Sequence, residues 1–283
     1  EIKVYDKKNT TAGMSCIDYG IEVFSKEVFA GLAESLQGKA ADLSDIQKKL
    51  VEEKKCIACE ETNRFYEIGT PASLGEFTEY AERRFIGAGR ACFIDRDGVI
   101  NEIVFREETE QLDSPLLTGE FRFLPGAVEG LKKLYESGMT LFIVSNQPAA
   151  AKGKTTLSKL YDINTFMVKE LLREGIRIAE VSICPHHPKG SERTRERFLI
   201  QKCGCRKPEP GMLLQIMKKY HIDKAHSWMI GDAYTDMLAG RSAGVKTAFA
   251  GDYKCDVCGR LDFVKPDLIG KDLAEIAERI LEG

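Results

Sequence analysis

Short apolar runs alternate with helical patterns from about residue 92 to the end of the chain. The runs lack polar alternation, which is typical of strands buried on both faces of a parallel sheet. Between them, apolar residues recur every three or four positions, as in amphipathic helices. We predict strands at 91–94, 140–145, 178–184, 227–231 and 246–250, and helices at 127–137, 156–173, 212–220, 235–241 and 273–281. This alternation predicts an α/β fold with a doubly wound parallel sheet.

The first 86 residues have a different pattern. We predict strands at 2–7 and 14–24 and helices at 28–36, 43–53 and 74–85. Gly87 and Gly89 then mark a predicted linker, because closely spaced glycines punctuate regular structure. The chain is therefore expected to contain two domains, at residues 1–86 and 87–283.

The composition is that of a globular protein with a sizeable core. The chain has 283 residues, of which 43% are hydrophobic and 30% are charged, enough for one large or two modest domains. A net charge of −3 and the lack of a basic, aromatic stripe argue against a nucleic-acid partner. No stretch approaches the roughly 18 apolar residues of a membrane span, and no signal peptide opens the chain. It begins at Glu1 in what reads as mid-domain sequence, which indicates a fragment; the oligomeric state is left open.

Polar residues stand at the carboxyl ends of predicted strands or directly before a predicted helix. They are Asp95, Asp97, Ser145, Asn146, Arg206, Lys207, Asp232 and Asp236. Gly98 would let the backbone turn sharply after the first two acids. Open α/β sheets bind ligands at the carboxyl edge of their strands, so these residues are expected to form one site. A single D-x-D string is more often a turn with two solvated acids, but the three further motifs favour a catalytic role.

These residue types suit the hydrolysis of a phosphate ester. A carboxylate can attack phosphorus and form an aspartyl-phosphate, which divides one difficult step into two easier ones. The repulsion between carboxylate and phosphate calls for a hard cation, and Mg²⁺ prefers oxygen ligands of this kind. Hydroxyl and lysine donors can stabilise the phosphoryl oxygens. A second acid must protonate the leaving oxygen and later activate water.

The four motifs, in this order over residues 95–236, resemble those of the haloacid dehalogenase-like (HAD) phosphatase superfamily. The resemblance implies that Asp95 is the nucleophile and Asp97 the general acid and base. Ser145 and Lys207 would stabilise the phosphoryl group. The implied magnesium ligands are Asp95, the Asp97 backbone carbonyl and Asp232, with Asp236 in support.

A second group of residues has the spacing of a metal site, C-x-H followed by C-x-C. Its members are Cys184, His186, Cys203 and Cys205. Three thiolates and one imidazole make the closed tetrahedral set of a structural zinc. The spacing alone leaves His187 open as the imidazole ligand. Zinc would anchor the polar loop between the two halves and hold Arg206 and Lys207 against the active site. Nine cysteines with such clusters favour metal over disulfides in a reducing compartment, so we expect the cytoplasm.

The strings DRDGVIN, SNQPAAAKG, CPHHP and C-x-CRKPEPGM resemble the histidinol-phosphatase-like branch, and within it the D-glycero-D-manno-heptose 1,7-bisphosphate 7-phosphatase family. The resemblance implies His186 as the zinc ligand and a minimal cap, so that loops select the substrate. It also implies that Arg206 recognises the sugar phosphate and that Asn146 and Gln147 contact substrate. Two departures lie in these loops: residues 106–120 are inserted, and SNQPAAAKG replaces a TNQSGIARG-type string. Histidinol phosphate or another small phosphomonoester is the alternative substrate.

Residues 1–86 resemble the carboxyl-terminal part of sugar-1-phosphate nucleotidyltransferases, and most closely heptose 1-phosphate guanylyltransferases. The strings that carry the resemblance are IDYGIEVFSKEVF and NRFYEIGTPASLGEF. In that family a carboxylate at the Glu67 position lies near a metal. The glycine-rich nucleotide loop is missing, so this chain is not expected to transfer nucleotides. The alternative is a fragment of a bifunctional enzyme.

A guanylyltransferase partner would indicate that the phosphatase acts on the α-anomer, on the way to a GDP-heptose. Two cysteine pairs stay open, Cys56 with Cys59 and Cys255 with Cys258. They could form a second zinc site if the domains pack together, but isolated thiols are the simpler interpretation.

Overall fold

The computed structural model describes residues 2, 22–28, 30–31, 42–58, 66, 69–81, 89–108, 110–251 and 264–282. The chain divides into two units, residues 1–67 and 68–283. Glu67, Cys59, Cys255 and Cys258 lie outside the described residues, as does the strand predicted at 2–7 apart from its first residue. The predicted domain boundary after residue 86 also falls among residues that are not described, so it stays a prediction.

In the first unit, helix α1 covers Leu43–Glu52, as predicted. Its amino end is capped by Asp42, whose Oδ1 accepts a hydrogen bond from the Ser44 N–H at 2.8 Å, and such caps satisfy backbone donors that have no partner inside the helix. Residues 26–28 and 30–31 are helical, which agrees in part with the helix predicted at 28–36. The prediction of a strand at 14–24 is wrong for residues 22–24, which form no strand.

The second unit contains a six-stranded parallel sheet with strand order β5-β4-β1-β6-β7-β8. The strands are β1 (Ala91–Ile94), β4 (Thr140–Asn146), β5 (Ile178–Cys184), β6 (Trp228–Gly231), β7 (Lys246–Ala250) and β8 (Leu268–Gly270). The first five match the predicted strands. The chain leaves β1 toward β4 on one side and later returns to β6 on the other, so the strand order reverses at β1. Ligands of doubly wound folds bind at such a reversal point.

Helices cover both faces of the sheet. Helix α2 (Pro71–Ala81) precedes β1 and has no buried residue. The helices on the sheet are α3 (Ala127–Glu136), α4 (Leu157–Arg173), α5 (Gly211–Tyr220), α6 (Tyr234–Ala243) and α7 (Leu273–Glu282). Ile94 packs in one apolar cluster with residues of α3, α4 and α7, whereas Phe93 packs in the other with residues of α5 and α6. Neighbouring residues of β1 therefore serve opposite faces, which explains its uninterrupted apolar sequence. In the described part of the chain, no helix is long and apolar enough to cross a membrane.

The segment inserted after β1 forms an antiparallel hairpin, β2 (Val104–Arg106) and β3 (Gln111–Asp113). Glu120, which follows in the chain, binds both terminal nitrogens of Arg106 at 2.7 Å and accepts the Leu116 N–H at 2.8 Å. The hydrogen bonds from Arg106 lower the pKa of Glu120 to about 2. At the other end, Lys154 bridges Asp113 at 2.6 Å. These contacts hold the hairpin beside the carboxyl edge of the sheet.

Candidate active site

Lys207 lies between two carboxylates, one from the end of β1 and one from α6. Its Nζ is 3.1 Å from Asp95 Oδ1 and 2.6 Å from Asp236 Oδ1, and it donates to the Val144 carbonyl at 2.7 Å. Only 1% of the Lys207 side chain is exposed. Burial by itself would lower the pKa of Lys207, but the two carboxylates outweigh it and raise the pKa. The ammonium is therefore charged and fixed beside Asp95.

The last residue of β4 holds the Lys207 backbone in place. Asn146 donates from Nδ2 to the Lys207 carbonyl at 2.9 Å and accepts the Lys207 N–H at 3.0 Å through Oδ1. Ser145, the preceding residue of β4, is almost fully buried. The structure thus brings residues of all four predicted motifs together at one edge of the sheet.

Asp97 is held by a different cation, Arg96. The guanidinium donates from Nε to Asp97 Oδ1 at 3.1 Å, and from Nη2 to Oδ1 at 2.9 Å and Oδ2 at 3.0 Å. Asn101 adds a bond to Oδ1 at 3.0 Å. Arg96 is fully buried, and its Nη1 donates to Asn164 Oδ1 on α4 at 2.8 Å. Each acid of the D-x-D motif therefore has its own cation, Lys207 for Asp95 and Arg96 for Asp97.

Three carboxylates converge opposite the single ammonium of Lys207. Oxygen atoms of Asp95, Asp232 and Asp236 all lie within 4.8 Å of one another. Burial, followed by repulsion from Asp95 and Asp236, raises the pKa of Asp232 to about 8. Burial likewise raises the pKa of Asp236 to about 6, although Lys207 opposes the shift. Such an excess of buried negative charge fits a divalent cation with oxygen ligands.

Gly98 allows this convergence. Its φ is +86°, and a Cβ at this position would lie 2.1 Å from Asp232 Oδ2. Any other residue would therefore push against a carboxylate of the acidic cluster while adopting a left-handed backbone. Glycine is therefore required at the end of the D-x-D-G string because Asp232, which is distant in sequence, lies against it.

Gln147 was predicted to contact substrate, and its side chain has another partner. Its Nε2 donates to Asn164 Oδ1 at 3.1 Å, and its Oε1 accepts from Asn164 Nδ2 at 3.2 Å. Both side chains are buried. The Gln147 amide thus supports the Arg96 network, and a contact between Gln147 and substrate stays a prediction.

The predicted zinc ligands form a compact cluster between β5 and α5. Cys205 Sγ lies 3.2 Å from both Cys184 Sγ and Cys203 Sγ, and 3.4 Å from His186 Nδ1. Cys184 Sγ lies 3.5 Å from Cys203 Sγ and 3.7 Å from His186 Nδ1. The thiols form no disulfide, and four soft donors at these separations fit a tetrahedral metal. His187 is elsewhere, because its Nδ1 accepts the Lys189 N–H at 3.1 Å.

A pocket of about 270 Å³ opens beside Asp97. The hairpin supplies one wall with Leu112 and Asp113, and the loop after β4 supplies another with Lys152. Arg206, which also donates to the His186 carbonyl at 3.3 Å, completes the lining next to the cysteine cluster. The pocket is therefore built mainly from the inserted segment and the SNQPAAAKG loop, the two loops in which the sequence departs from the family that it resembles.

Known proteins are similar to this chain. Residues 204–276 match the HAD-hydrolase-like family model. The D-glycero-beta-D-manno-heptose-1,7-bisphosphate 7-phosphatase of Escherichia coli (strain K12) is 38% identical over 157 residues, or 56% of this chain and 76% of that protein. The phosphatase of the same name from Pasteurella multocida (strain Pm70) is 35% identical over 157 residues, or 56% of this chain and 78% of that protein. The chain belongs to this phosphatase family.

A solved structure extends the similarity to the fold. The D,D-heptose 1,7-bisphosphate phosphatase from B. bronchiseptica, complexed with magnesium and phosphate, is 27% identical. The match covers 68% of this chain and 98% of the B. bronchiseptica chain, with a TM-score of 0.54. The chain is accordingly a HAD phosphatase, a phosphoric monoester hydrolase.

The phosphatase site contains two supporting residues that the sequence did not reveal, Arg96 and Asn164. Arg96 stands between the two acids of the motif, two residues after a buried strand, and a cation at that place was the available signal. Asn164 lies in the apolar pattern of α4, where a single buried amide is visible only once its partners are known.

Proposed function

We propose that this phosphatase removes the 7-phosphate of D-glycero-D-manno-heptose 1,7-bisphosphate through an aspartyl-phosphate on Asp95. The observation that carries the proposal is the placement of Asp95 against buried Lys207 in a member of a family named for this reaction. A carboxylate nucleophile is repelled by a phosphate dianion, so a nearby positive charge must reduce this repulsion. Lys207 supplies that charge without occupying the pocket.

In the first step the Asp95 carboxylate attacks phosphorus, and the bond from phosphorus to the sugar oxygen breaks. Asp97, which must be protonated when the substrate binds, passes that proton to the leaving oxygen. In the second step Asp97 takes a proton from water, the water oxygen attacks phosphorus, and the bond to Asp95 breaks. Both acids are thereby restored. Arg96 keeps Asp97 in position, and the Ser145 hydroxyl with Lys207 donates to the phosphoryl oxygens.

Asp95, Asp232 and the Asp97 backbone carbonyl would hold Mg²⁺, with Asp236 in support. The acidic cluster and the magnesium in the related solved structure support this assignment. When bound, the ion offsets the repulsion between nucleophile and phosphate. The Asp97 side-chain oxygens already accept hydrogen bonds from Arg96 and Asn101, so the backbone carbonyl of Asp97 and not its side chain is assigned to the metal.

The cysteine cluster would hold a structural Zn²⁺ through Cys184, His186, Cys203 and Cys205. The separations between the four donor atoms support this. Ligands of one tetrahedral zinc, with Zn–S bonds of about 2.3 Å, must lie this close to one another. Thiolates free to bind zinc are typical of a reducing compartment, which supports the cytoplasm as the location.

The anomer of the substrate stays open between two arguments. The curated relatives are named for the β-anomer. The α-anomer follows only from the resemblance of residues 1–86 to guanylyltransferases. Assays of both anomers under the same conditions decide between them. A higher kcat/KM for the β-anomer removes the α-anomer proposal.

The experiment is a magnesium-dependent phosphate-release assay over both heptose bisphosphate anomers, histidinol phosphate and other small phosphomonoesters. We expect the heptose bisphosphate to be hydrolysed with the highest kcat/KM. Asp95→Asn should abolish the release, whereas Asp162→Asn, an exposed acid of α4, should leave it unchanged. Activity that survives Asp95→Asn would rule out the covalent mechanism, and a preference for histidinol phosphate would rule out the heptose substrate.

A further inference from the structure

The pocket beside Asp97 has an excess of positive charge on its outer wall. Three cations near it already have carboxylate partners. The pairs are Lys207 with Asp95 and Asp236, Lys154 with Asp113, and Arg96 with Asp97. Within the described ranges, Lys152 and Arg206 line the pocket without a carboxylate at ion-pair distance. Two unpaired cations at one pocket wall favour an anionic ligand.

The electrostatics of Lys152 point the same way. Loss of solvent around its side chain, followed by repulsion from Lys154 and Arg206, lowers the pKa of Lys152. The Asp113 carboxylate opposes this effect but is outweighed, and it is itself bound to Lys154 at 2.6 Å. An arriving anion would relieve the repulsion between Lys152 and Arg206, so its binding gains from charge that the protein leaves uncompensated.

The backbone around Lys152 is fixed rather than loose. The Lys152 carbonyl accepts the Ser191 hydroxyl at 2.8 Å, and the Ala151 carbonyl accepts the buried Thr194 hydroxyl at 2.7 Å. Gly153 has a φ of +69°, and a Cβ there would lie 2.7 Å from the Arg193 carbonyl carbon. The turn that carries Lys152 is therefore packed against the same cysteine loop that positions Arg206. Both cations are therefore held by contacts with the same loop.

We infer that Lys152 and Arg206 together bind the second phosphate of the substrate, the one that is not hydrolysed. The recognition by Arg206 was already expected from the family, and Lys152 is the new assignment. The inference rests on the proposed function. With the reacting phosphate at Asp95 and the leaving oxygen at Asp97, the remainder of the sugar extends into the pocket. Lys152 thereby makes the enzyme prefer a bisphosphate to the matching monophosphate.

The test compares heptose 1,7-bisphosphate with heptose 7-phosphate, which lacks only the remote phosphate. In Lys152→Gln, kcat/KM for the bisphosphate should fall about tenfold or more, mainly through KM, as expected for the loss of a charge-assisted contact. The value for the monophosphate should change less than about twofold. Lys152→Arg should keep the preference, because it keeps the charge. Lys159→Gln is the matched control, since Lys159 is an exposed lysine of α4 that lies outside the pocket lining.

The outcomes separate the inference from the proposed function. If Lys152→Gln keeps the preference for the bisphosphate, or loses equal factors on both substrates, the inference is wrong while the proposed function stands. If the parent enzyme hydrolyses neither heptose phosphate but does release phosphate from another phosphomonoester, the proposed substrate is wrong and the inference falls with it.

Discussion

Arg96 binds both carboxylate oxygens of Asp97 through one nitrogen, at 2.9 and 3.0 Å. The same guanidinium reaches Asn164 on α4 and is fully shielded from solvent. The residue between the two acids of the motif is therefore part of the framework of the site. Among the described residues its charge is matched by Asp97, so removing either partner leaves the other without its ion pair.

Removing the guanidinium should destabilise the protein strongly. We expect Arg96→Gln to lower the free energy of unfolding by about 3–5 kcal/mol, because it leaves a mostly buried carboxylate unpaired. Denaturant titration measures the change. Arg90→Gln, an exposed arginine that donates only to the Ser137 carbonyl, should cost less than about 1 kcal/mol. Equal effects of the two substitutions would contradict the role assigned to Arg96.

A methyl group at Gly98 should disturb the acidic cluster. Because the added Cβ would lie 2.1 Å from Asp232 Oδ2, Gly98→Ala should raise the magnesium concentration for half-maximal activity by about tenfold or more and lower stability by about 1–3 kcal/mol. Gly119→Ala is the control, since its added Cβ meets nothing within 4 Å. An unchanged magnesium dependence in Gly98→Ala would show that Asp232 takes no part in binding the metal.

The ion pair that holds the hairpin should make stability depend on pH. The pKa of Glu120 is lowered from 4.5 to about 2 in the folded protein, so its contribution is fully present above pH 4.5 and is lost as the pH falls toward 2. Because Glu120 is partly exposed, Glu120→Gln should cost only about 1–2 kcal/mol at pH 7. Denaturant titrations at pH 7 and pH 3 should show a smaller difference from the parent at pH 3. A constant difference would mean that the carboxylate charge is not what Arg106 recognises.

Loss of one cysteine should remove the proposed zinc. Cys203→Ser should bind about one equivalent less zinc than the parent, because a closed tetrahedral site depends on all four ligands. Elemental analysis of the purified proteins measures this. Cys56→Ser, a partly exposed free thiol outside the cluster, should keep the zinc. If the two variants hold equal amounts, the four-ligand site does not exist.

The sequence predicts five of the six strands because they read as short apolar runs, and β1, β4, β6 and β7 are mostly buried, as in a sheet covered on both faces. It misses β8, since Leu268–Gly270 has only three residues, of which the central one faces solvent. It also misses the β2–β3 hairpin, whose strands are short and mostly exposed. Such a hairpin depends on the Arg106–Glu120 pair, and a pairing between side chains of one loop has no periodic signal.

The chemistry of the site is predictable where one motif carries one reactive group. Asp95, Lys207 and Asp236 meet as expected. Contacts that join side chains from distant elements escape the sequence, as with the amides of Gln147 and Asn164. Amides have no fixed partner type, so only the fold determines whether they face substrate or each other.

Asn146 has a consequence for how such enzymes can diverge. The amide of Asn146 binds both the N–H and the carbonyl of Lys207. The position of Lys207 is therefore set by strand β4 and not by the loop that precedes the lysine. Substitutions in the segment between Cys184 and Cys205 can therefore change substrate choice while Lys207 keeps its place beside Asp95. The loop that shapes substrate choice and the contact that holds Lys207 are therefore separate, so one can change without the other.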